Sequence, residues 1–310
     1  MNRLLIANRG EIAARIARAA SDLGIETVAI HSDDDSTCLH CHVADTVRPL
    51  AASGVRAYLD LENIVSIARE AECDAIHPGY GFLAESAPFA RKVADSGLTF
   101  VGPSPGSLEL FGDKAKAREV ASSIDIPIVR GVDEPIALED AHQFFGQLKG
   151  RPMLLKAIAG GGGRGSRIVS TEEELEDAFN RATSEAKAAF GNELLYAEEL
   201  ISNARHIEVQ IVGDSKGKIC HLYERECSAQ RRHQKVVEVA PAINLYSDVR
   251  KNVIEAAVRL AEHTNYQNLG TFEFLVNGNS FWFIETNARL QVEHTVTEEI
   301  TGVDLVQTQL

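Results

Sequence analysis

The chain has 310 residues, enough for two or three packed units, and 45% hydrophobic with 25% charged residues is ordinary globular composition. Lys plus Arg number 31 against 45 Asp plus Glu, a net charge of −14 that excludes general attraction to nucleic acid or an anionic membrane. Any anionic ligand must be held by a local basic pocket, and no apolar run is long enough to span a bilayer.

The start, MNRLLIANRGEIAARIARAA, resembles a targeting peptide only superficially, because Arg9, Gly10 and Glu11 interrupt its apolar segment. Arg3 to Ala7 reads as a short buried strand, Asn8 to Glu11 as a turn, and Ile12 to Leu23 as an amphipathic helix ended by Gly24. Thr27 to His31 is a second strand, which makes a right-handed βαβ unit. Cytoplasmic reduced thiols are expected for Cys38, Cys41, Cys73, Cys220 and Cys227, an odd number without a secretory signal. Cys38-Leu-His-Cys41-His42 formally matches a haem-attachment pattern, and His31 and His40 lie near enough to suggest zinc. Without an exported context or a second ligand pair, an ordinary loop is expected there.

The α/β pattern continues through a helix at Leu61 to Glu70, a strand at Ala75 to His77, a helix at Ala87 to Ser96 and a strand at Thr99 to Val101. Residues 1–112 are therefore expected to form a doubly wound, Rossmann-like α/β domain, without the glycine fingerprint of a dinucleotide site. Pro103, Pro105, Gly106 and Gly112 mark its end. A second unit is expected over 113–200 and a third over 201–310.

Asp113 to Ser122 and Ala137 to Leu148 read as helices and Met153 to Ile158 as a strand carrying Lys156. Gly160-Gly161-Gly162-Gly163-Arg164-Gly165 follows, then a strand at Ile168 and Val169 and a helix opened by the capping box Thr171-x-x-Glu174. The glycine run is neither a Walker loop nor a dinucleotide fingerprint, since Ser166 replaces the lysine and no helix opens at once. Its backbone N–H groups, with Lys156 and Arg164, can still approach a phosphate; the competing reading is a plain mobile linker.

Leu194 to Glu198, Ile207 to Val212 and Ile219 to Glu224 read as strands, and Asp248 to His263 as a helix. Arg231, Arg232, His233 and Lys235 crowd together in an acidic protein, either as an anion pocket or as a solvated basic face. Thr271 to Val276 and Phe281 to Glu285 form a hairpin around Asn277 and Gly278. A two-residue turn would put Glu273 and Glu285 on opposite faces, so a shared metal calls for a three-residue loop. Glu273, Glu285 and Asn287 suit Mg²⁺, a hard cation that takes oxygen ligands. Beyond them Glu285, Asn287, Arg289, Gln291 and Glu293 alternate with Thr286, Ala288, Leu290 and Val292. Extended backbone would align the polar set on one face, either a site for a metal and an anion or a solvated strand surface.

NRGEIA at 8–13, HPGYGFLAE at 77–85, DK at 113–114, AGGGGRG at 159–165, RRHQKVVE at 231–238, GTFEF at 270–274 and ETNARLQVEHTVTE at 285–298 together resemble the biotin carboxylase family. The resemblance runs in order through the whole chain. It implies a Rossmann-like domain followed by an ATP-grasp fold with a glycine-loop lid, and a ligase that carboxylates biotin on a carrier protein using ATP, Mg²⁺ or Mn²⁺, and bicarbonate. It implies that Lys114, Lys156, His206 and the loop from Gly160 to Gly165 contact ATP, with Glu198, Gln230 and His233 near its adenine and ribose. It further implies that Glu273, Glu285 and Asn287 hold the metal. Bicarbonate would meet Lys235, Arg289, Gln291 and the backbone of Val292, with Glu293 as its general base.

The sequence departs from the family's pattern at Glu199, where lysine is common, at Ser166 for methionine, at Val239 for glutamate and at Thr295 for proline. Thr295, without proline's fixed φ, is expected to loosen the turn after Glu293. The resemblance also implies a further C-terminal segment that completes the large lobe and the biotin site, so a fragment of a longer enzyme is expected. A carrier protein or domain, a carboxyltransferase and a homodimeric arrangement are the implied partners. The alternatives are a carbamoyl phosphate synthetase-like ligase and a nucleotide-binding piece that serves assembly without catalysis.

Overall fold

The structure is a computed structural model that describes residues 1–132, 134–158, 165–231 and 234–310. Five short strands, β1 (Arg3–Ile6), β2 (Glu26–His31), β3 (Thr46–Pro49), β4 (Ala75–His77) and β5 (Thr99–Phe100), form a parallel sheet in the order β3-β2-β1-β4-β5. Helices α1 (Gly10–Asp22), α2 (Leu39–Val43), α3 (Leu61–Glu70) and α4 (Ala87–Asp95) connect them. A parallel sheet is covered on both faces, which explains the unbroken apolar run of β1. Leu5 packs with Tyr58, Ile64 and Phe89, while Leu4 and Ile6 pack with Ile12 and Ile16 of α1.

The expected Cys38–His42 loop is instead the short helix α2, closed by a Cys41 N–H to Cys38 C=O bond of 3.0 Å. All five cysteines are free thiols. The helix buries His40 and Cys41, an anchor that the polar composition of the stretch conceals.

Helices α5 (Pro105–Gly112) and α6 (Lys114–Ser123) follow. Asp113 is the N-cap of α6 and accepts from the N–H groups of Ala115 at 3.1 Å and Lys116 at 3.2 Å, so it fixes where Lys114 leaves the backbone. A small antiparallel sheet, β6 (Gly131–Val132), β7 (Met153–Ala157), β8 (Ser166–Val169) and β9 (Leu195–Glu199), has the order β6-β9-β7-β8. It buries Met153, Leu155 and Ala197 against α7 (Leu138–Gln147) and α8 (Glu172–Phe190). The expected capping box at Thr171 does not close: Thr171 accepts no capping bond, and Glu174 takes the N–H of Ser170 at 3.1 Å instead.

The largest antiparallel sheet has the order β12-β11-β10-β13-β14, made of β10 (Arg205–Gly213), β11 (Ile219–Arg231), β12 (Gln234–Val239), β13 (Asn268–Asn277) and β14 (Ser280–Asn287). One face is apolar: Ile207, Val209, Phe272, Phe274 and Phe283 pack beneath α9 (Ser247–His263). Ala87, Leu108 and Ala117 enter the same cluster, so α4, α5 and α6 close onto this sheet. At Gly270 an added Cβ would lie 2.2 Å from the Tyr266 hydroxyl, so this position admits glycine alone. The chain ends in α10 (His294–Thr301) and α11 (Leu305–Gln309). Among the described residues no helix is long and apolar enough to cross a membrane.

Candidate functional site

The opposite face of the large sheet is polar yet buried. Strand alternation that sends Ile207, Val209 and Ile211 of β10 into the core turns His206, Glu208 and Gln210 to this face. Their partners across the ladder are Arg225 opposite Glu208 on one side and Glu273 opposite Glu208 on the other. Thr271 and Glu273 of β13, which alternate with the apolar Phe272 and Phe274, are likewise buried.

Glu273 and Glu285 lie directly across from one another, as a shared metal requires, but not through the expected three-residue loop. The turn has two residues, Gly278 and Asn279, and the pairing from Asn277–Ser280 to Phe274–Phe283 follows it. Between Phe274 and Glu273 the register then shifts by one, with Ile284 as the extra residue. This β-bulge restores the parity that the even turn would have lost, and sets Glu285 opposite Glu273 and Asn287 opposite Thr271.

Strand geometry ends at Asn287, so the alternation of 285–293 is not one continuous strand face. Residues 288–293 form a turn-rich connection whose Ala288 and Leu290 are fastened in two different apolar clusters. Gln291 and Glu293 are buried while Val292 is 63% exposed. The turn after Glu293 is tight despite Thr295. Glu293 is the N-cap of α10, and bonds from His294 N–H to Gln291 C=O at 3.3 Å and Val296 N–H to Glu293 C=O at 3.1 Å close it. Thr295 is exposed at the second helical position, where the backbone N–H has no intrahelical partner and proline would also be tolerated.

Lys235 reaches in from the edge strand β12. Its Nζ lies 2.5 Å from Glu208 Oε2, 2.9 Å from Glu273 Oε1 and 2.6 Å from Glu293 Oε1. Burial disfavours its charge, but the three carboxylates more than offset this and hold the ammonium well above the ordinary lysine range. Glu273 also meets His206 Nε2 at 2.8 Å. Burial would raise its pKa, yet His206 and Lys235 drive it well below the carboxylate range, and Glu273 in turn raises that of His206 against the effect of burial.

Asn287 donates to Glu273 Oε1 at 2.7 Å and accepts from Arg289 Nη2 at 3.1 Å, and Gln291 donates to the same glutamate oxygen at 3.2 Å. Arg289 also lies 3.0 Å from Glu85 of the HPGYGFLAE stretch. Lys114 Nζ lies 2.6 Å from Glu285 Oε2. Thus Glu273, Asn287, His206, Lys235, Arg289, Gln291 and Glu293 form one connected network, and the Lys114–Glu285 pair stands beside it, with Glu285 opposite Glu273 in the β13–β14 ladder.

Lys156 and the buried Glu198 pair with each other on the small sheet, and Gln230 Nε2 is 3.1 Å from His206 Nδ1 at the edge of the network. Gly165, at φ +71°, returns its carbonyl to the N–H of Ala157 at 3.1 Å, and an added Cβ there would meet that of Ala157 at 2.9 Å. Gly160, Gly161, Gly162, Gly163, Arg164 and His233, and with them the expected flap and part of the basic cluster, lie outside the described residues. Glu199 is held by Arg151 at 2.5 Å. Of the described basic residues between 231 and 235, Lys235 enters the network and Arg231 is exposed.

Two buried residues central to this network were not among those expected, Glu208 and Arg225. Glu208 stands between the apolar Ile207 and Val209 and reads in sequence as part of a solvated strand face, whereas Arg225 lies between Glu224 and Glu226, one residue past the strand expected to end at Glu224. The available signal was that β10 and β13 both alternate apolar residues with polar ones, which is unusual if both are central strands of one sheet.

The oxygens fit a hard divalent cation. Glu273 and Glu285 face each other across β13 and β14, Asn287 adds a carboxamide oxygen, and the cations that hold these groups, Lys114, His206 and Lys235, are those a metal would replace in balancing charge. His206, Glu208 and Glu273, and likewise Glu208, Cys227 and Glu293, also bring potential ligand atoms within 4.8 Å of one another, but Lys235 already bonds to Glu208, Glu273 and Glu293.

Residues 1–108 match the family model described as biotin carboxylase, N-terminal domain, and residues 113–310 match that of the carbamoyl-phosphate synthase L chain, ATP binding domain. Pyruvate carboxylase of Bacillus subtilis is 53% identical over all of this chain, and mitochondrial pyruvate carboxylase of Homo sapiens 51%. The chain spans 27% of the length of each. The structure of a biotin carboxylase–ATP-analogue complex from Campylobacter jejuni is 43% identical with a TM-score of 0.94, covering 99% of this chain and 70% of that one. The biotin carboxylase domain dimer of Hydrogenobacter thermophilus 2-oxoglutarate carboxylase, solved with MgADP, ADP and bicarbonate, is 46% identical with a TM-score of 0.93, covering 99% and 68%. With a parallel-sheet domain leading into the antiparallel sheets of an ATP-grasp fold, the chain belongs to the biotin carboxylase family.

Proposed function

We propose that these residues carry out the first half-reaction of a biotin-dependent carboxylase, an ATP-grasp ligase reaction in which ATP and bicarbonate carboxylate biotin on a carrier protein. The observation that carries this reading is the buried polar face on which Lys235 joins Glu273, on the metal side, to Glu293, the proposed base. The Hydrogenobacter relative, solved with MgADP and bicarbonate, supports the same ligands here.

In this reading Lys114, Lys156, His206 and the loop from Gly160 to Gly165 hold the phosphates, and Glu198, Gln230 and His233 flank the adenine and ribose. Glu273, Glu285 and Asn287 hold Mg²⁺, or Mn²⁺ in its place, which when bound neutralises phosphate charge. Lys235, Arg289, Gln291 and the backbone of Val292 orient bicarbonate, and Glu293 takes its proton. Lys235 holds one oxygen of Glu293, so the other is the proton acceptor.

The deprotonated bicarbonate oxygen attacks the γ-phosphorus and ADP leaves, which yields carboxyphosphate; its breakdown delivers CO₂ and phosphate beside biotin. Phosphoryl transfer depends on positioning and charge neutralisation, and both are supplied by side chains fixed on strands and on a tight turn. Escape of the intermediate to water would waste ATP, which a closed site prevents.

A biotin carrier protein or domain and a carboxyltransferase are the proposed partners outside these residues, where the carboxyl acceptor would be chosen, and the relatives' greater length supports this reading. A homodimer is the proposed assembly, as in the Hydrogenobacter structure. The test is bicarbonate-dependent ATP hydrolysis by the full-length protein, with and without free biotin, in wild type and Glu293→Gln. Wild-type turnover should rise with bicarbonate and biotin, and the variant should lose it. Bicarbonate-dependent turnover indifferent to biotin would favour a carbamoyl phosphate synthetase-like ligase, and none at all would favour a non-catalytic role.

A further inference from the structure

Among the described residues the largest fully buried side chain is that of Arg225, which no motif singled out. A guanidinium carries five N–H donors in a rigid fork and accepts nothing. Here every donor has its own acceptor. Nε donates to Glu208 Oε1 at 2.6 Å, Nη1 to Gln210 Oε1 at 2.9 Å and Thr297 Oγ1 at 2.7 Å, and Nη2 to Thr271 Oγ1 at 3.2 Å and Gln291 Oε1 at 3.1 Å. These acceptors come from β10, β13, α10 and the connection after β14.

Two of those bonds have consequences for the site. By engaging Gln291 Oε1, Arg225 fixes which way the carboxamide faces, so that the NH₂ group is presented beside Glu273. An anion can be bound by that NH₂ and would be repelled by the oxygen, so the amide's orientation decides whether Gln291 can serve. By engaging Glu208 Oε1, it leaves Oε2 to hold Lys235 Nζ at 2.5 Å. One planar group therefore sets two cationic or donor groups from elements far apart in sequence, at positions 235 and 291.

We propose that Arg225 is a positioning residue for bicarbonate: it aims Gln291 and Lys235 together while touching no substrate itself. This rests on the function proposed above. Lysine at position 225 would keep the charge but offers three donors without the fork, so Glu208 and Gln291 could no longer be fixed at once.

The experiment is steady-state kinetics of the full-length enzyme with Arg225→Lys, Gln291→Ala and the double variant, accompanied by thermal unfolding. Arg225→Lys should raise the KM for bicarbonate by about 10-fold or more and leave that for ATP within about 2-fold, a split that general loosening of the fold would not give. Gln291→Ala should cost far less in the Arg225→Lys background than alone, since its amide is already misdirected there. Independent, multiplying effects, or parallel losses for both substrates, would overturn the assignment. If Arg225→Lys does not fold, Thr297→Val removes one acceptor of the fork without touching substrate. It should raise the bicarbonate KM about 3-fold with ATP unaffected, and an unchanged bicarbonate KM would overturn the assignment as well. A wild-type enzyme without any bicarbonate dependence would refute the proposed function and this role with it, whereas an active wild type with an unaffected Arg225→Lys variant refutes the role of Arg225 alone.

Discussion

Lys114 offers a test in which one substitution should move two ligands in opposite directions. Its ammonium lies 2.6 Å from Glu285 Oε2 and its side chain is 54% exposed. At that exposure water screens the pair, and ion pairs of this kind contribute about 0.2–1 kcal/mol. A divalent metal that takes Glu285 without nucleotide must displace this contact, so Lys114→Ala should tighten Mn²⁺ binding to the nucleotide-free protein by about 1.4-fold to 5-fold. The same change removes a charged phosphate contact and should weaken a non-hydrolysable ATP analogue by about 10-fold or more. Electron paramagnetic resonance of free Mn²⁺, titrated with and without the analogue, reads both quantities. Unchanged or weaker Mn²⁺ binding in the nucleotide-free variant would show that Lys114 does not compete with the metal, and Glu285 would lose its place in the metal set.

Two further outcomes concern stability. His77 is completely buried at the end of β4, its Nδ1 accepts from Gly79 N–H at 3.0 Å, and burial pushes the imidazole down to about 3 despite Gln309. The unfolded chain therefore binds a proton near pH 6.5 that the folded chain refuses, and stability falls as pH drops: from 6.5 to 5.0 this amounts to about 1.6 kcal/mol. Urea unfolding at the two pH values should show that loss in wild type in excess of His77→Gln, and equal losses would contradict the burial argument. Phe272 is fully buried with edge contacts to Phe111 and Tyr266 at centroid distances of 5.6 and 5.5 Å. Phe272→Ala should lower stability by about 3–5 kcal/mol in the same measurement, and a loss below about 1 kcal/mol would mean that α5 and β13 do not share a core.

The first domain was legible because its signals are redundant. Parallel strands show as apolar runs and α1 and α3 as 3.6-residue periodicity, so their positions were readable to within two residues at either end. The stretch that holds α2 and β3 was not, since its buried groups are His40 and Cys41 and its strand carries Arg48 and Pro49.

Around the site, the candidate residues themselves were legible from the resemblance to a family, and the structure joins seven of them in one network with the Lys114–Glu285 pair beside it. What stayed hidden was the framework beneath. A β-bulge at Ile284 has no sequence signature, yet it decides which way Glu285 faces. The strand that carries Arg225 reads as ending at Glu224, because a charged residue looks like the end of a strand when its five partners lie on other elements. Sequence periodicity separates apolar from polar faces; whether a polar face is wet or buried is settled only when the strands meet.

In the proposed reaction bicarbonate, not water, attacks the γ-phosphate. Turnover of ATP with ¹⁸O-labelled bicarbonate by the full-length enzyme tests it directly, because the attacking oxygen remains on phosphorus when carboxyphosphate releases CO₂. Mass spectrometry of the product should find one ¹⁸O in each inorganic phosphate, and unlabelled phosphate would contradict the account.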